Sequence, residues 1–318
     1  MTAPLPPSGD DAALSRLLAY LRRQDYRYTT ITPLSHQHVL ARRAGTAGST
    51  LRDVFGWNLP FDRQAFPAEL TAMLDDAQLL EPAGPLWRSK VRVSSIDDAL
   101  FLHSGYPTEQ EDAVFFGPDT YRFVRFMRHA IAASPLPRGA RILDIGCGSG
   151  AGGLMLAREC ENAELVLNDI NPLALRYSRI NADGLGIDAT LVKSDSLATV
   201  QGEFDLIMAN PPYLVDKEAR TYRHGGDDLG RSLGVRMATE AAGRLAPGGR
   251  LLFYTGVAIV DGRDPLQAEL APVLMHAGLE WRYEEIDPDV FGEELTQPAY
   301  ETVDRIAAVG LEARRARI

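Results

Sequence analysis

From residue 141 onward the chain alternates short apolar runs with amphipathic stretches, and that alternation restricts the fold more than any other feature. The apolar runs predict strands over 141–145, 165–168, 190–193, 204–209 and 250–254. Helical spacing predicts helices over 151–160, 172–182 and 234–245, and two further strands are expected over 280–286 and 303–309. A strand, a helix and another strand in succession imply a parallel sheet, because the crossover helix carries the chain back to where the next strand starts. The expected fold class is α/β, Rossmann-like, with helices on both faces of the sheet.

The first strand opens onto Leu143-Asp144-Ile145-Gly146-Cys147-Gly148-Ser149-Gly150. Glycines at such a turn permit positive φ and let the backbone approach a ligand closely. The spacing is not G-x-G-x-x-G, and Asp144 just before the turn is a poor neighbour for a pyrophosphate. It suits a cofactor that carries an ammonium group and a sulfonium cation. Cys147 reads as a small filler of the turn. Asp169, with Ile170 after it, follows the second strand, where a carboxylate can accept ribose hydroxyls. Asp195, between Ser194 and Ser196, follows the third strand and could accept from the exocyclic amine of adenine. One such acid could be a helix cap. Three at consecutive strand ends point to a ligand.

The fourth strand runs into Asn210-Pro211-Pro212-Tyr213. Each proline fixes its own φ and biases the residue before it toward extended backbone, so the turn is stiff. Stiffness aims two acceptors, the Asn210 side-chain carbonyl and the Pro211 backbone carbonyl, at one point. Two acceptors can hold the two N–H groups of a planar NH₂, and Tyr213 offers a flat face for it to stack on.

Charge is uneven along the chain. Residues 1–105 carry eleven of the 33 Lys/Arg and eleven of the 43 Asp/Glu, so the whole net charge of −10 falls on the remainder. That balance disfavours a face that grips a nucleic-acid backbone. Two cysteines make no disulfide scaffold, no stretch is apolar enough to cross a membrane, and no His or acid cluster has metal spacing, so neither membrane nor metal is expected. The cytoplasm is the expected compartment. Residues 1–10 read as a disordered lead, and 11–105 as a smaller α+β unit. In that unit, helices are expected over 11–23, 36–43, 50–55 and 67–80, then a hairpin of 86–94 with 99–103. Such a unit is winged-helix-like, a cap over the site or a substrate reader. Residues 106–318 form the catalytic domain, with a helix over 119–133.

With these motifs the chain resembles class I S-adenosylmethionine-dependent methyltransferases over about residues 115 to 310. The resemblance implies a seven-stranded, mostly parallel sheet with an antiparallel last strand. It also implies S-adenosylmethionine as methyl donor, leaving as S-adenosylhomocysteine. Asn-Pro-Pro-Tyr narrows it to amide and amino nitrogen methyltransferases. The chain is most similar to the HemK-type N5-glutamine group, which modifies the Gly-Gly-Gln tip of peptide release factors. Asp169-Ile170-Asn171-Pro172 looks like that group's D-I-N-P, and 225–230 loosely resembles its G-G-x-D-G-L. Phe116-Gly117-Pro118-Asp119-Thr120-Tyr121 resembles the P-x-x-D-T element of its archaeal and eukaryotic branch, which adds Thr120 to the cofactor residues. The bacterial branch's P-R-x-E-T-E is absent, and the first hundred residues do not resemble that branch's release-factor-binding domain. A protein glutamine is the expected acceptor. The alternatives are an exocyclic amine of a nucleobase (adenine N6 or guanine N2), a small amine or amide, and a binding module without turnover. Arg220, Arg223 and His224 are expected on a solvated loop, and the terminal arginines 314–317 on a frayed end.

Overall fold

The computed structural model describes residues 9–216, 218 and 220–317. Four helices and two hairpins come first: α1 (Gly9–Arg23), α2 (Pro33–Arg42), α3 (Leu51–Phe55), α4 (Ala68–Asp76), β1 (Leu80–Ala83), β2 (Leu86–Ser89), β3 (Val91–Ile96) and β4 (Ala99–Ser104). The expected lead over 1–10 falls outside the described residues as far as residue 8, and α1 starts at Gly9, earlier than its apolar spacing indicated. Leu14, Leu17, Leu18 and Leu21 are all buried, as that spacing requires. Thr32 caps α2, and Thr50 with Asp53 closes a capping box on α3. Two hairpins form where one was expected, since residues 81–85 supply a strand as well as a turn. Gly84, at φ +64, makes the reversal, while Pro82 is tolerated because β1 has a single partner strand.

The second part runs α5 (Pro118–Ala133), β5 (Arg141–Ile145), α6 (Ala151–Ala157), β6 (Glu164–Asp169), α7 (Pro172–Leu185), β7 (Ala189–Lys193), β8 (Phe204–Ala209), α8 (Asp227–Gly230), α9 (Ser232–Ala242), β9 (Leu245–Ile259), α10 (Pro265–His276), β10 (Leu279–Asp287) and β11 (Arg305–Arg315). The sheet has seven strands in the order β10-β11-β9-β8-β5-β6-β7. Strands β5 to β9 pair in parallel, and β11 alone runs antiparallel to both neighbours. Side chains alternate across it. Ile142, Leu206 and Met208 join Phe123 and Met127 of α5 on one face, whereas Leu143, Ile207 and Ala209 meet Ala238 of α9 and Leu270 of α10 on the other.

Helix α10 escaped the sequence reading because Pro272 lies within it and its apolar residues do not form a single stripe. Arg314 and Arg315 do not fray. β11 continues to Arg315, Arg314 pairs across to Arg250 and Glu280, and Arg315 pairs with Leu279 and donates to the Leu245 carbonyl. Arg317 is exposed beyond the strand.

The first part is built onto α7. Ala174, Tyr177 and Ile180 of that helix share one apolar cluster with Leu14, Phe55, Val91 and Val93. Trp57 and Phe61 belong to the same cluster. Asp11 of α1 accepts from Arg176 and Arg179, and Asn181, fully buried, exchanges hydrogen bonds with both backbone groups of Leu102 in β4. Asn181 also donates to the Ser149 carbonyl, which ties β4 to the glycine turn.

Candidate active site

Strand order reverses between β5 and β8, because the chain first builds outward through β6 and β7 and then returns to the other side of β5. Loops leaving the carboxyl ends of two such strands diverge and leave a crevice. A cavity of about 410 Å³ occupies it. Its walls contain Asp144 and residues 146–149 after β5, Asp169 and Ile170 after β6, residues 194–196 after β7 and residues 210–213 after β8, together with Thr120. The expected site residues thus converge, with one exception. Gly150 is absent from the wall; it caps α6 at φ +76, and a Cβ there would press on Leu154 and Ser178.

Gly146 and Gly148 stand at φ +66 and +56, and no atom lies within 4 Å of where their Cβ atoms would project. The turn is therefore an open cradle lined by backbone. Asp144 is buried at 2 % exposure, and its Oδ2 accepts from the Gly153 amide at 2.8 Å. Burial, against that hydrogen bond, lifts its carboxyl to about 7. Asp169 is also buried and its carboxyl raised for the same reason, although its two oxygens each take a backbone N–H, from Gly148 and from Asn171, both at 2.9 Å. Each of those oxygens keeps a lone pair for a further donor. Asp195 is exposed, and its carboxylate has no partner among the described residues. Cys147 fills the turn: burial pushes its thiol up, and its Sγ lies 3.5 Å from Ser178 Oγ. Thr120 Oγ1 accepts from the Gly117 amide.

Asn210 is half-buried and Pro211 buried, and neither Asn210's amide nor Pro211's carbonyl has a hydrogen-bond partner among the described residues. The chain beyond them is firmly held. Leu214 exchanges backbone hydrogen bonds with Arg223 and Gly225, and Val215 donates to the Tyr300 hydroxyl at 2.8 Å. Cβ atoms at Gly225 and Gly230 would lie 2.7 Å from Tyr213 Cα and 2.2 Å from its carbonyl oxygen, so both positions admit only glycine against the turn. Tyr213 lines the cavity but is less free than a stacking platform would be. Its ring rests on the bare Cα of Gly256, meets Phe291 edge-on at 5.9 Å, and its hydroxyl donates to Asp119.

Residues 220–224 are no solvated loop. Arg220 pairs with Asp216 and Arg223 with Glu294, and His224 Nδ1 accepts from the Asp216 amide. Arg220, Arg223 and His224 all line the cavity. The linker 105–117 passes over the same segment. Tyr222 donates to the Thr108 carbonyl and stacks on Phe115 at 5.7 Å with 10° between the planes. Asp119, Phe115, Tyr222 and Phe291 went unassigned in the sequence. Phe115-Phe116, an aromatic pair in a polar linker, was a readable signal for the second. Phe291 gave none, although it stands at φ +54, a strained conformation for a bulky residue.

Residues 126–258 match the family described as methyltransferase small domain. The chain is 37% identical over 165 residues to a release factor glutamine methyltransferase of Deinococcus radiodurans, covering 48% of this chain and 55% of that one. It is 33% identical over 111 residues to a ribosomal RNA small subunit methyltransferase C of Actinobacillus pleuropneumoniae, covering 35% and 31%. The chain thus spans about half the length of the first relative and a third of the second. A 16S rRNA N2 G1207 methyltransferase from T. thermophilus, solved with AdoMet and guanosine, superimposes at a TM-score of 0.46 with 18% identity, over 81% of this chain and 64% of that one. The seven-stranded sheet, the open glycine cradle after its central strand and the stretch that matches the methyltransferase small domain family, residues 126–258, coincide in one region.

Proposed function

We propose that the chain is an S-adenosylmethionine-dependent N-methyltransferase whose acceptor is a planar amide, best a glutamine side chain of a protein such as a peptide release factor. The observation that carries this reading is a pair of unpartnered acceptors, Asn210 and the Pro211 carbonyl, in the same cavity as the glycine cradle and the strand-end acids. The cavity suits the methyl donor. Gly146 and Gly148 leave open the space a Cβ would fill, and among the described residues Asp195's carboxylate has no partner and the buried Asp144 has no cation beside it. In this reading Asp169 takes ribose hydroxyls, Ile170 with residues 194–196 flanks the adenine, and Asp144, Thr120 and the cradle face the amino-acid end. Bound there, the donor supplies a methyl on a sulfonium, whose sulfur departs as a neutral thioether and needs no acid.

The protein's own residues handle the acceptor. Asn210 and Pro211 accept both hydrogens of the NH₂, which turns its lone pair out of conjugation and toward the methyl. Pro212 keeps the turn stiff. Transfer is then an in-line displacement whose acceleration comes mainly from alignment. Once its bond to carbon has formed, the nitrogen releases one proton to solvent, so no general base is required.

Charge around the cavity favours protein over RNA. Linker 105–117 and the β10–β11 connection 287–304 together carry nine Asp/Glu and no Lys, Arg or His. Arg220 and Arg223, which lie between them in sequence, are already paired with Asp216 and Glu294. That excess of carboxylates repels a phosphate backbone. The part before residue 106 is then a cap or reader of the protein acceptor, and we place the enzyme in the cytoplasm. No helix among the described residues is long and apolar enough to cross a membrane. Tritiated methyl transfer into a cell extract, separated into protein, RNA and small-molecule fractions, tests this reading. Label in protein, at glutamine, is expected; label solely in RNA overturns the choice of acceptor.

A further inference from the structure

Asn210 and Pro211 can hold an acceptor without any need for a tyrosine at position 213. A phenol ring buried against Gly256 and Phe291 needs a partner for its hydroxyl, since a buried hydroxyl left unpaired loses its hydrogen bonds to water and gains none in return. The partner is Asp119, 94 residues away in sequence and 5 % exposed. Asp119 sits in the first turn of α5, next to Thr120 on the cavity wall. One carboxylate oxygen accepts from Tyr213. The other accepts from Tyr254 of β9 at 2.9 Å and from Arg122 at 3.1 Å. Arg122 in turn reaches Asp287 at 2.9 Å, at the end of β10. The carboxylate is therefore held from three elements of the fold, and it passes that rigidity to one ring.

We propose that Asp119 is a positioning residue for methyl transfer and acts through Tyr213. Its carboxylate fixes the hydroxyl, the hydroxyl fixes the ring between Gly256 and Phe291, and the ring fixes the angle of the peptide that carries the Pro211 carbonyl. Asp119 also places α5 and Thr120 at the other side of the same cavity, so one buried group sets the distance between the acceptor turn and the opposite wall. The proposal rests on the reading of Asn210-Pro211-Pro212-Tyr213 as the acceptor turn. Alignment is where its effect should fall, because a misplacement of about 1 Å costs on the order of 100-fold in rate.

The test uses near-isosteric variants of the full chain, Asp119→Asn and Tyr213→Phe, alone and combined. The initial rate of tritiated methyl transfer from S-adenosylmethionine into undivided cell extract is measured, whichever fraction takes the label. Binding of S-adenosylmethionine is measured by calorimetry. Each single variant should lose about 10- to 100-fold in rate while cofactor affinity changes by less than about threefold. The double variant should fall no more than about twofold below the slower single, because both remove one interaction. Losses that multiply would show that Asp119 does not act through Tyr213, and a fall in affinity equal to the fall in rate would assign it to the cofactor pocket; either overturns the proposal. Asn210→Ala is run alongside. If it keeps the unaltered rate, the acceptor-turn reading fails by itself, while the coupling between Asp119 and Tyr213 is still decided by the cycle. An unaltered chain that transfers no label removes both.

Discussion

Replacing Asp144 by Asn should make the free protein more stable in alkali than the unaltered chain, relative to the same comparison in acid. The carboxyl is buried, and burial lifts it from 3.8 to about 7. A carboxyl raised on folding binds its proton more tightly in the native state, so its stabilising contribution is complete below the unfolded value. It is lost as pH rises through the native one. At about 1.4 kcal/mol for each pH unit, this loss amounts to about 4 kcal/mol over the whole interval, of which about 3 kcal/mol falls above pH 5. Asn carries no such dependence, and its side-chain carbonyl can still accept from the Gly153 amide. Urea unfolding of both proteins at about pH 5 and about pH 8 measures the effect. The gap should move toward the variant by about 2–3 kcal/mol between the two conditions. Cofactor affinity at the higher pH should meanwhile fall, because the buried anion that faces a cationic ligand is gone. Curves that run parallel within about 0.5 kcal/mol would refute the claim that burial raises the Asp144 carboxyl on folding.

Asn210→Ala should reduce methyl transfer by about 100-fold or more while leaving S-adenosylmethionine affinity nearly unchanged, as transfer assays and calorimetry would show. Asp169→Ala should do the reverse, weakening cofactor binding by about tenfold or more, because a hydrogen-bonded carboxylate is lost. Gly256→Ala would set a Cβ 2.1 Å from the Tyr213 ring. It should slow transfer and lower stability by about 1–3 kcal/mol, read from urea unfolding. The acidic segments 105–117 and 287–304 should repel RNA more than protein, so added salt should not raise the rate of transfer to the acceptor; a rate that rises with salt, as repelled phosphates become screened, would contradict a protein acceptor.

Much of this site was legible because it is built from local chain chemistry. A strand that carries Asp144 and opens onto two glycines, a strand that ends in Asp169, and a turn stiffened by Pro211 and Pro212 are each set by neighbours in sequence. Gly150 misled for the same reason. It looks like its two companions, yet its φ serves the start of α6 and it never reaches the cavity. Arg220 and Arg223 read as solvated because Glu294, which neutralises Arg223, lies 71 residues further on.

The alternation of apolar and amphipathic runs decided by itself that there would be a parallel sheet with acids and a proline turn at its strand ends, since backbone sterics and side-chain periodicity act over a few residues. Tertiary structure alone decided which distant groups meet those ends. Asp119 under Tyr213, Phe291 at its edge, Phe115 on Tyr222 and Asn181 against Leu102 are pairs separated by 78 to 107 positions. No local pattern encodes such contacts, because they exist only once the sheet brings α5, the linker and the β10–β11 connection to one crevice.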